Sequence, residues 1–225
     1  MLARLGDTEA RPSGPGFADR LGEWLGWTDA ISLSAALGGN AGAVPSTPAA
    51  AGARVDTDAL ATECNGLRQA LANAISADSV FTTPIDDAAT DFPSYRRGYH
   101  DRQQTMEMAI GPLRDRLRAV LAARSPESAR LAALDGVMGQ VLGVQEYNLL
   151  AGVPARLARH FERLRRAATP PNEEGGDATA PGPWLEPFRQ DMRALLLAEL
   201  DFRFQPIDGL LEALRTSPPT EPIRP

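Results

Sequence analysis

The chain contains no lysine. All 23 of its basic side chains are arginine. That excludes a lysine Schiff base and the G-x-x-x-x-G-K-[ST] phosphate loop, since both depend on a primary amine at the end of a flexible stem. A GC-rich genome is the bland source of such a bias. There is one cysteine, Cys64, so no intrachain disulfide can form and the sequence does not call for an oxidising compartment. Histidine is almost as scarce, with His100 and His160 alone. The residues three before them are Arg97 and Leu157, so the paired Glu-x-x-His of a di-iron bundle is missing, as are H-E-x-x-H and G-x-S-x-G. Asp86, Asp87 and Asp91 lack the spacing and closing glutamate of a calcium loop. No apolar run approaches the roughly 18–20 residues that cross a bilayer. Asp7, Glu9 and Asp19 occupy a start without the apolar core of a secretory signal. The expectation is a cytoplasmic protein without cofactor or metal.

What is present is helical periodicity. Phe92, Tyr95, Tyr99, Met106, Ile110, Leu113, Leu117 and Val120 recur at steps of three and four, the seam of a long amphipathic helix around which the chain is organised. Ser94 is placed to cap it, and Gly111-Pro112 predicts an interruption. Asp56 or Thr57 opens the preceding helix, which runs to about Ser79 with Leu60, Cys64, Leu67, Leu71 and Ile75 on one stripe. Cys64 on that stripe reads as a small core hydrophobe. Ser125-Pro126-Glu127 is a restart with Ser at N-cap and Pro at N1. Leu131, Leu134, Met138, Val141, Leu142, Gln145 and Leu149 follow, with Gly136, Gly139 and Gly143 near the seam for close helix approach. Pro154 opens a helix to Ala168 with Leu157, Phe161 and Leu164 inward. Nothing reads as a strand.

The predicted organisation is a flexible tail over 1–16, short helices over 17–37 with Thr28 as a cap, a flexible linker over 38–54, and a helical core over 55–168. A disordered linker over 169–183 leads to helices over 184–216, bent or broken at Pro206, and a proline-rich tail over 217–225. The fold class is all-α: an antiparallel helical bundle with long amphipathic helices and linker-tethered terminal helices. Whether those terminal helices cover their own core or a partner is open at this level.

The formal net charge is −6, which argues against a general affinity for phosphate backbones. It is unevenly placed. Residues 92–168 hold thirteen Arg against seven acids, while 54–91 hold two against seven and 169–225 five against ten. Within the basic middle, Arg156, Arg159, Arg163 and Arg166 share the outer face of one helix, with Arg165 adjacent. Such a face is most often simply solvated; it also suits an acidic partner or nucleic-acid phosphates. Trp24, Trp27 and Ile31 are large apolar groups on marginal helices and need a surface to anchor to. The best residual catalytic constellation, Tyr99, His100, Asp101, Arg102 and Glu107, lies around one turn of the central helix. Neighbours in sequence point to different faces, so these residues do not converge by themselves. The function expected is a non-catalytic cytoplasmic adaptor or assembly factor that binds a protein partner. Its contacts are Trp24, Trp27, Ile31, Arg156, Arg159 and Arg163. The alternative is a nucleic-acid-associated regulator using the arginine face. A homo-oligomer is compatible with either.

Four blocks carry a family resemblance: FADRLGEWLGWTDAISLSAAL (17–37), SYRRGYHDRQQTMEMAIGPLRDRLR (94–118), LDGVMGQVL with VPARLARHFERL (134–164), and WLEPFRQDMRALLLAELDFRFQPIDGLLEAL (184–214). They resemble an uncharacterised proteobacterial family, seen mostly in Burkholderia-type organisms and known only as a domain of unknown function. The resemblance implies genes that neighbour those of membrane proteins of the proton-channel motor and peptidoglycan-binding type. It therefore implies a cytosolic accessory to an envelope complex. It carries over no catalytic residues.

Overall fold

The computed structural model of the chain describes residues 16–38, 56–82, 91–168 and 183–216. The regular elements among them are all helices: α1 (Phe17–Trp24), α2 (Trp27–Gly38), α3 (Thr57–Ser76), the single turn α4 (Ser79–Thr82), α5 (Phe92–Ala122), α6 (Pro126–Ala151), α7 (Val153–Ala168) and α8 (Leu185–Thr216). This is the all-α bundle that the periodicity predicts. The expected tails and linkers, edge residues aside, lie outside the described residues, as do Asp86 and Asp87.

Short polar side chains set several helix starts by satisfying amide groups that lack an intrahelical partner. Asp56 accepts from the amide of Asp58 at 2.9 Å and opens α3. Asp78 does the same for Val80 at 3.0 Å, so α3 ends at Ser76, short of Ser79, and α4 restarts separately. Ser125 accepts from the amide of Ser128 at 3.1 Å, with Pro126 at N1 as expected. Two predicted caps are displaced. Thr28 lies inside α2, and Asp29 instead reaches back to the amide of Gly26 at 3.1 Å; Asp19 does likewise for Gly16 at 3.0 Å. Ser94 lies inside α5, where its hydroxyl donates to Asp91 at 2.8 Å.

Neither internal proline breaks its helix. α5 runs 31 residues through Pro112 and α8 runs 32 through Pro206. A proline leaves the carbonyl four residues earlier without an amide donor. Here those carbonyls belong to Met108 and Phe202, both on exposed positions, 66% and 45%. Water can replace the lost bond there, which removes most of the expected penalty.

The chain forms two compact units. The first comprises described residues 67–82, 91–109, 149–168 and 183–202. Its buried side chains include Leu71, Ile75, Phe81, Tyr95, Tyr99, Met106, Leu157, Phe161, Phe188, Met192 and Leu196. The second comprises 16–38, 56–66, 110–148 and 203–216, with Leu60, Cys64, Leu117, Leu121, Val141, Phe204, Ile207 and Leu214 buried. Residues of α8 are buried in both units, so the 184–216 piece is core, and the open question is settled for it in favour of its own chain. In the second unit Arg124 donates to the hydroxyl of Thr57 at 2.5 Å and to the carbonyl of Leu214 at 3.1 Å. One arginine thus ties the start of α3 to an orphan carbonyl at the end of α8.

Two readings of α6 change. Leu131 and Leu149 are 43% and 65% exposed, whereas Ala132 and Leu150 are buried. Apolar residues occur on more than one face of this helix, so periodicity alone does not fix which face turns inward. Of the three seam glycines only Gly139 meets a neighbour, and it is a side chain: a Cβ there would lie 3.3 Å from the Arg114 guanidinium. Arg114 crosses that point to grip Asp135 with two bonds, 2.9 and 2.7 Å.

Cys64 is 2% exposed. Burial pushes its thiol above the ordinary range, helped by the negative charges of Glu63 and Asp208. The reactive form is the thiolate. A disulfide reagent is therefore expected to label Cys64 at least about 100-fold more slowly in the native chain than in guanidinium chloride. Equal rates would contradict the burial. A thiol with a raised folded-state pKa contributes stability that is fully present below its unfolded value. That contribution is lost as pH rises through the folded value, so it disappears on the alkaline side.

Candidate functional site

In the first unit, α7 carries two opposite faces. Val153, Pro154, Leu157, His160 and Phe161 are buried, while Arg156, Arg159, Arg163, Arg165 and Arg166 are exposed. The inner face is pinned by aromatic packing. The Phe161 ring lies 5.0 Å from Phe188, 5.0 Å from Trp184, 5.8 Å from Phe92 and 6.0 Å from Tyr95, centroid to centroid. The two near-perpendicular pairs, with Trp184 and Phe188, are the edge-to-face arrangement that aromatic quadrupoles favour. A helix held this way presents its outer face from a fixed base.

His160 links the two faces. Its Nε2 lies 2.9 Å from Asp191 Oδ2 and its Nδ1 lies 2.7 Å from Arg163 Nη2. A guanidinium can only donate, so Nδ1 accepts and Nε2 carries the hydrogen that goes to Asp191. Both ring nitrogens are thereby engaged, and the chain Asp191–His160–Arg163 orients one arginine of the outer face. Arg159, Arg163 and Arg166, with Ala158 and Glu162, line a shallow depression of about 420 Å³. Arg159 and Arg166, at i and i+7, can each offer a paired donor fork to a carboxylate or phosphate, and Arg163 between them, with its Nη2 on His160, adds its positive charge. Arg156 is exposed on the same helix but outside the depression.

Two further buried polar groups, Glu199 and Arg189, lie on α8 in the same unit. Glu199 accepts from Tyr99 Oη at 2.9 Å and from Gln103 Nε2 at 3.0 Å. Arg189 is 5% exposed, donates from Nε to Tyr95 Oη at 3.2 Å, and has no partner for its Nη2 among the described residues. The sequence reading missed His160, Arg189 and Glu199 as structural groups. The signal was available: each falls on an apolar face, beside Phe161, Phe188 and Leu200. Their partners were not legible. The constellation on the central helix does not assemble, because Tyr99 turns inward to Glu199, Arg102 pairs with Asp78 at 2.6 Å, and His100, Asp101 and Glu107 face solvent.

The other residues singled out by sequence lie in the second unit. Trp24 is half-buried, whereas Trp27 is 83% and Ile31 53% exposed on α2. Trp27, Ala30, Ile31, Ser34, Ala35 and Gly38 line a depression of about 580 Å³ along that helix. Among the described residues no group of three or more His, Cys, Asp or Glu side chains could hold a metal ion. None of the described helices is long and apolar enough to cross a membrane.

A family model described as "Protein of unknown function (DUF3348)" matches residues 1–216. No curated protein and no solved structure matches the chain.

Proposed function

The chain belongs to this family of proteins of unknown function, and we propose that it is a non-catalytic helical adaptor that docks an acidic segment of a protein partner on the arginine face of α7. The observation that carries the reading is Arg159, Arg163 and Arg166 around one depression on a helix fixed by the Phe161 cluster. Their rise along the helix, about 6 Å per step of four residues, matches carboxylates placed at the same intervals on a partner helix. The engaged nitrogens of His160 and the buried Cys64 thiol support a binding role over a catalytic one. The net charge of −6 opposes a long polyanion such as nucleic acid more than a short acidic segment of a protein. The resemblance implies genes that neighbour those of envelope membrane proteins, and an envelope complex is therefore the first partner class to test.

The test is co-purification from the native host, with the detergent-extracted membrane fraction kept separate. Wild type is compared with the chain carrying Arg156→Glu, Arg159→Glu and Arg166→Glu together. These side chains are exposed, so the melting temperature is expected to move by no more than a few degrees. A stoichiometric partner is expected with wild type and lost with the variant. The same partner retained at the same stoichiometry sinks the reading. Retained nucleic acid, released as salt rises, would favour phosphate recognition by this face instead. Because the chain has no lysine, cross-linking needs a carboxylate-directed or photo-reactive reagent.

A further inference from the structure

We infer that the exposed face of α2 is where two copies of this chain pair, antiparallel, about a two-fold axis. The inference stands apart from the α7 reading, since it uses other residues and another partner.

The outward face of α2 is formed by Trp27, Ile31, Ser34 and Gly38, at i, i+4, i+7 and i+11, flanked by Ala30 and Ala35. None of these is charged. The one charged side chain of α2, Asp29, is turned to the helix start, where it caps Gly26. Two identical surfaces can meet only if the patch is its own complement. A charged face, such as that of α7, repels its copy; this one does not. Its shape is also self-complementary. Along the centre of the face bulk is concentrated in the first half. An axis through the middle of the helix, between Ser32 and Leu33, sets Trp27 of one copy against Gly38 of the other and Ile31 against Ser34. It also sets Ala30 against Ala35, and Leu37, at the edge of the second half and 63% exposed, against Thr28. Each large group then meets a small one. Among the described residues nothing lies within 4 Å of where a Cβ of Gly38 would stand, room that an indole ring from a second copy can enter. A parallel pairing would stack Trp27 on Trp27 and leave a gap at Gly38.

The area is sufficient for a specific but modest contact. An exposed tryptophan offers roughly 200 Å². Ile31 and Leu37, 53% and 63% exposed, bring the apolar area to roughly 400 Å² per copy. With the small residues included, the pair buries on the order of 1,000 Å², at the lower edge of specific interfaces. The dimer is therefore expected to dissociate in the micromolar range.

The experiment is sedimentation equilibrium of the full chain up to about 100 µM, bracketing that range. Wild type is expected to approach twice the 24.0 kDa of one chain. Trp27→Ala is expected to raise the dissociation constant at least about 30-fold, as removal of a central aromatic anchor does. Gly38→Leu fills the seat of the partner's indole and is expected to give monomer. The double variant Trp27→Ala, Gly38→Trp exchanges bulk and space across the axis and is expected to restore the dimer. A merely structural loss would not be rescued in this way. Unchanged helical circular dichroism in all variants keeps folding out of the comparison. Wild type that stays monomeric throughout overturns the inference and assigns the face to a different partner. A dimer indifferent to both Trp27→Ala and Gly38→Leu overturns it as well, by placing the interface elsewhere.

Discussion

Phe161→Ala is expected to cost about 3–5 kcal/mol of stability, the range for truncating a fully buried phenylalanine. Phe161 is 1% exposed and touches aromatic rings from three directions: Phe92 and Tyr95 on α5, Trp184 just before α8, and Phe188 on α8. Truncation removes the transfer energy of the ring. It also leaves a cavity that four rigid aromatic neighbours cannot collapse to fill, which pushes the loss to the upper part of the range. Urea denaturation measures it. The loss should fall on the first unit, so the near-ultraviolet signal of Trp184 should disappear at lower denaturant than the wild-type signal. Phe161→Leu retains most of the volume and should cost clearly less. A loss below about 1 kcal/mol for Phe161→Ala would mean that the aromatic cluster does not hold α7 in place. The fixed base assumed for the arginine face would go with it.

Tyr95→Phe is expected to cost about 1–3 kcal/mol, although it removes one oxygen atom and no volume. Its hydroxyl accepts the hydrogen bond from Arg189 Nε. Without it, the guanidinium of a residue 5% exposed to solvent keeps its charge and loses the partner of Nε, with Nη2 already unsatisfied among the described residues. Leaving a buried charged donor unsatisfied is the expensive half of such a substitution. Arg189→Met made alone leaves the Tyr95 hydroxyl without its donor, a smaller loss because the group is neutral. Replacing both sides, Tyr95→Phe with Arg189→Met, removes the charge and the hydroxyl together and keeps an unbranched stem of similar length. The double variant is expected to match or exceed wild type, because exchanging a poorly satisfied buried charge for packed apolar groups is commonly neutral or stabilising. The test is a double-mutant cycle. If the two losses simply add, the pair is not coupled and the account of Arg189 fails. A stabilised double variant that loses partner binding would show that the buried arginine is kept for α7's surroundings and not for stability.

Much of the fold was legible because its causes are local. Asp56, Ser125 and Pro126 act on amide groups within three residues, so the starts of α3 and α6 could be read from short strings. The stripe of Leu60, Cys64, Leu71 and Ile75 follows from helix geometry and one dominant apolar face. The arginine side of α7 was legible for the same reason, since outward residues follow once Leu157 and Phe161 are placed inward. The exclusion of lysine chemistry and of disulfides needed only the composition.

What the tertiary structure decided depends on groups far apart in the chain. Tyr99 meets Glu199 across 100 residues and Tyr95 meets Arg189 across 94. A sequence marks such residues as polar intruders on an apolar face but cannot name what satisfies them. The sequence predicts an interruption at Pro112 and a bend or break at Pro206, yet both helices continue. Both carbonyls that lose a donor belong to exposed residues, Met108 and Phe202, and that exposure is a property of packing and not of the proline. The inward face of α6 was undecided for a related reason, since apolar residues on several sides leave neighbours to choose. The sequence determined by itself where α3 and α6 start, and that lysine and intrachain disulfide chemistry are excluded. Only the tertiary structure decided that α8 is core, that His160 orients Arg163, and that Trp27 and Ile31 remain exposed, because each rests on contacts that exist only once distant segments have packed.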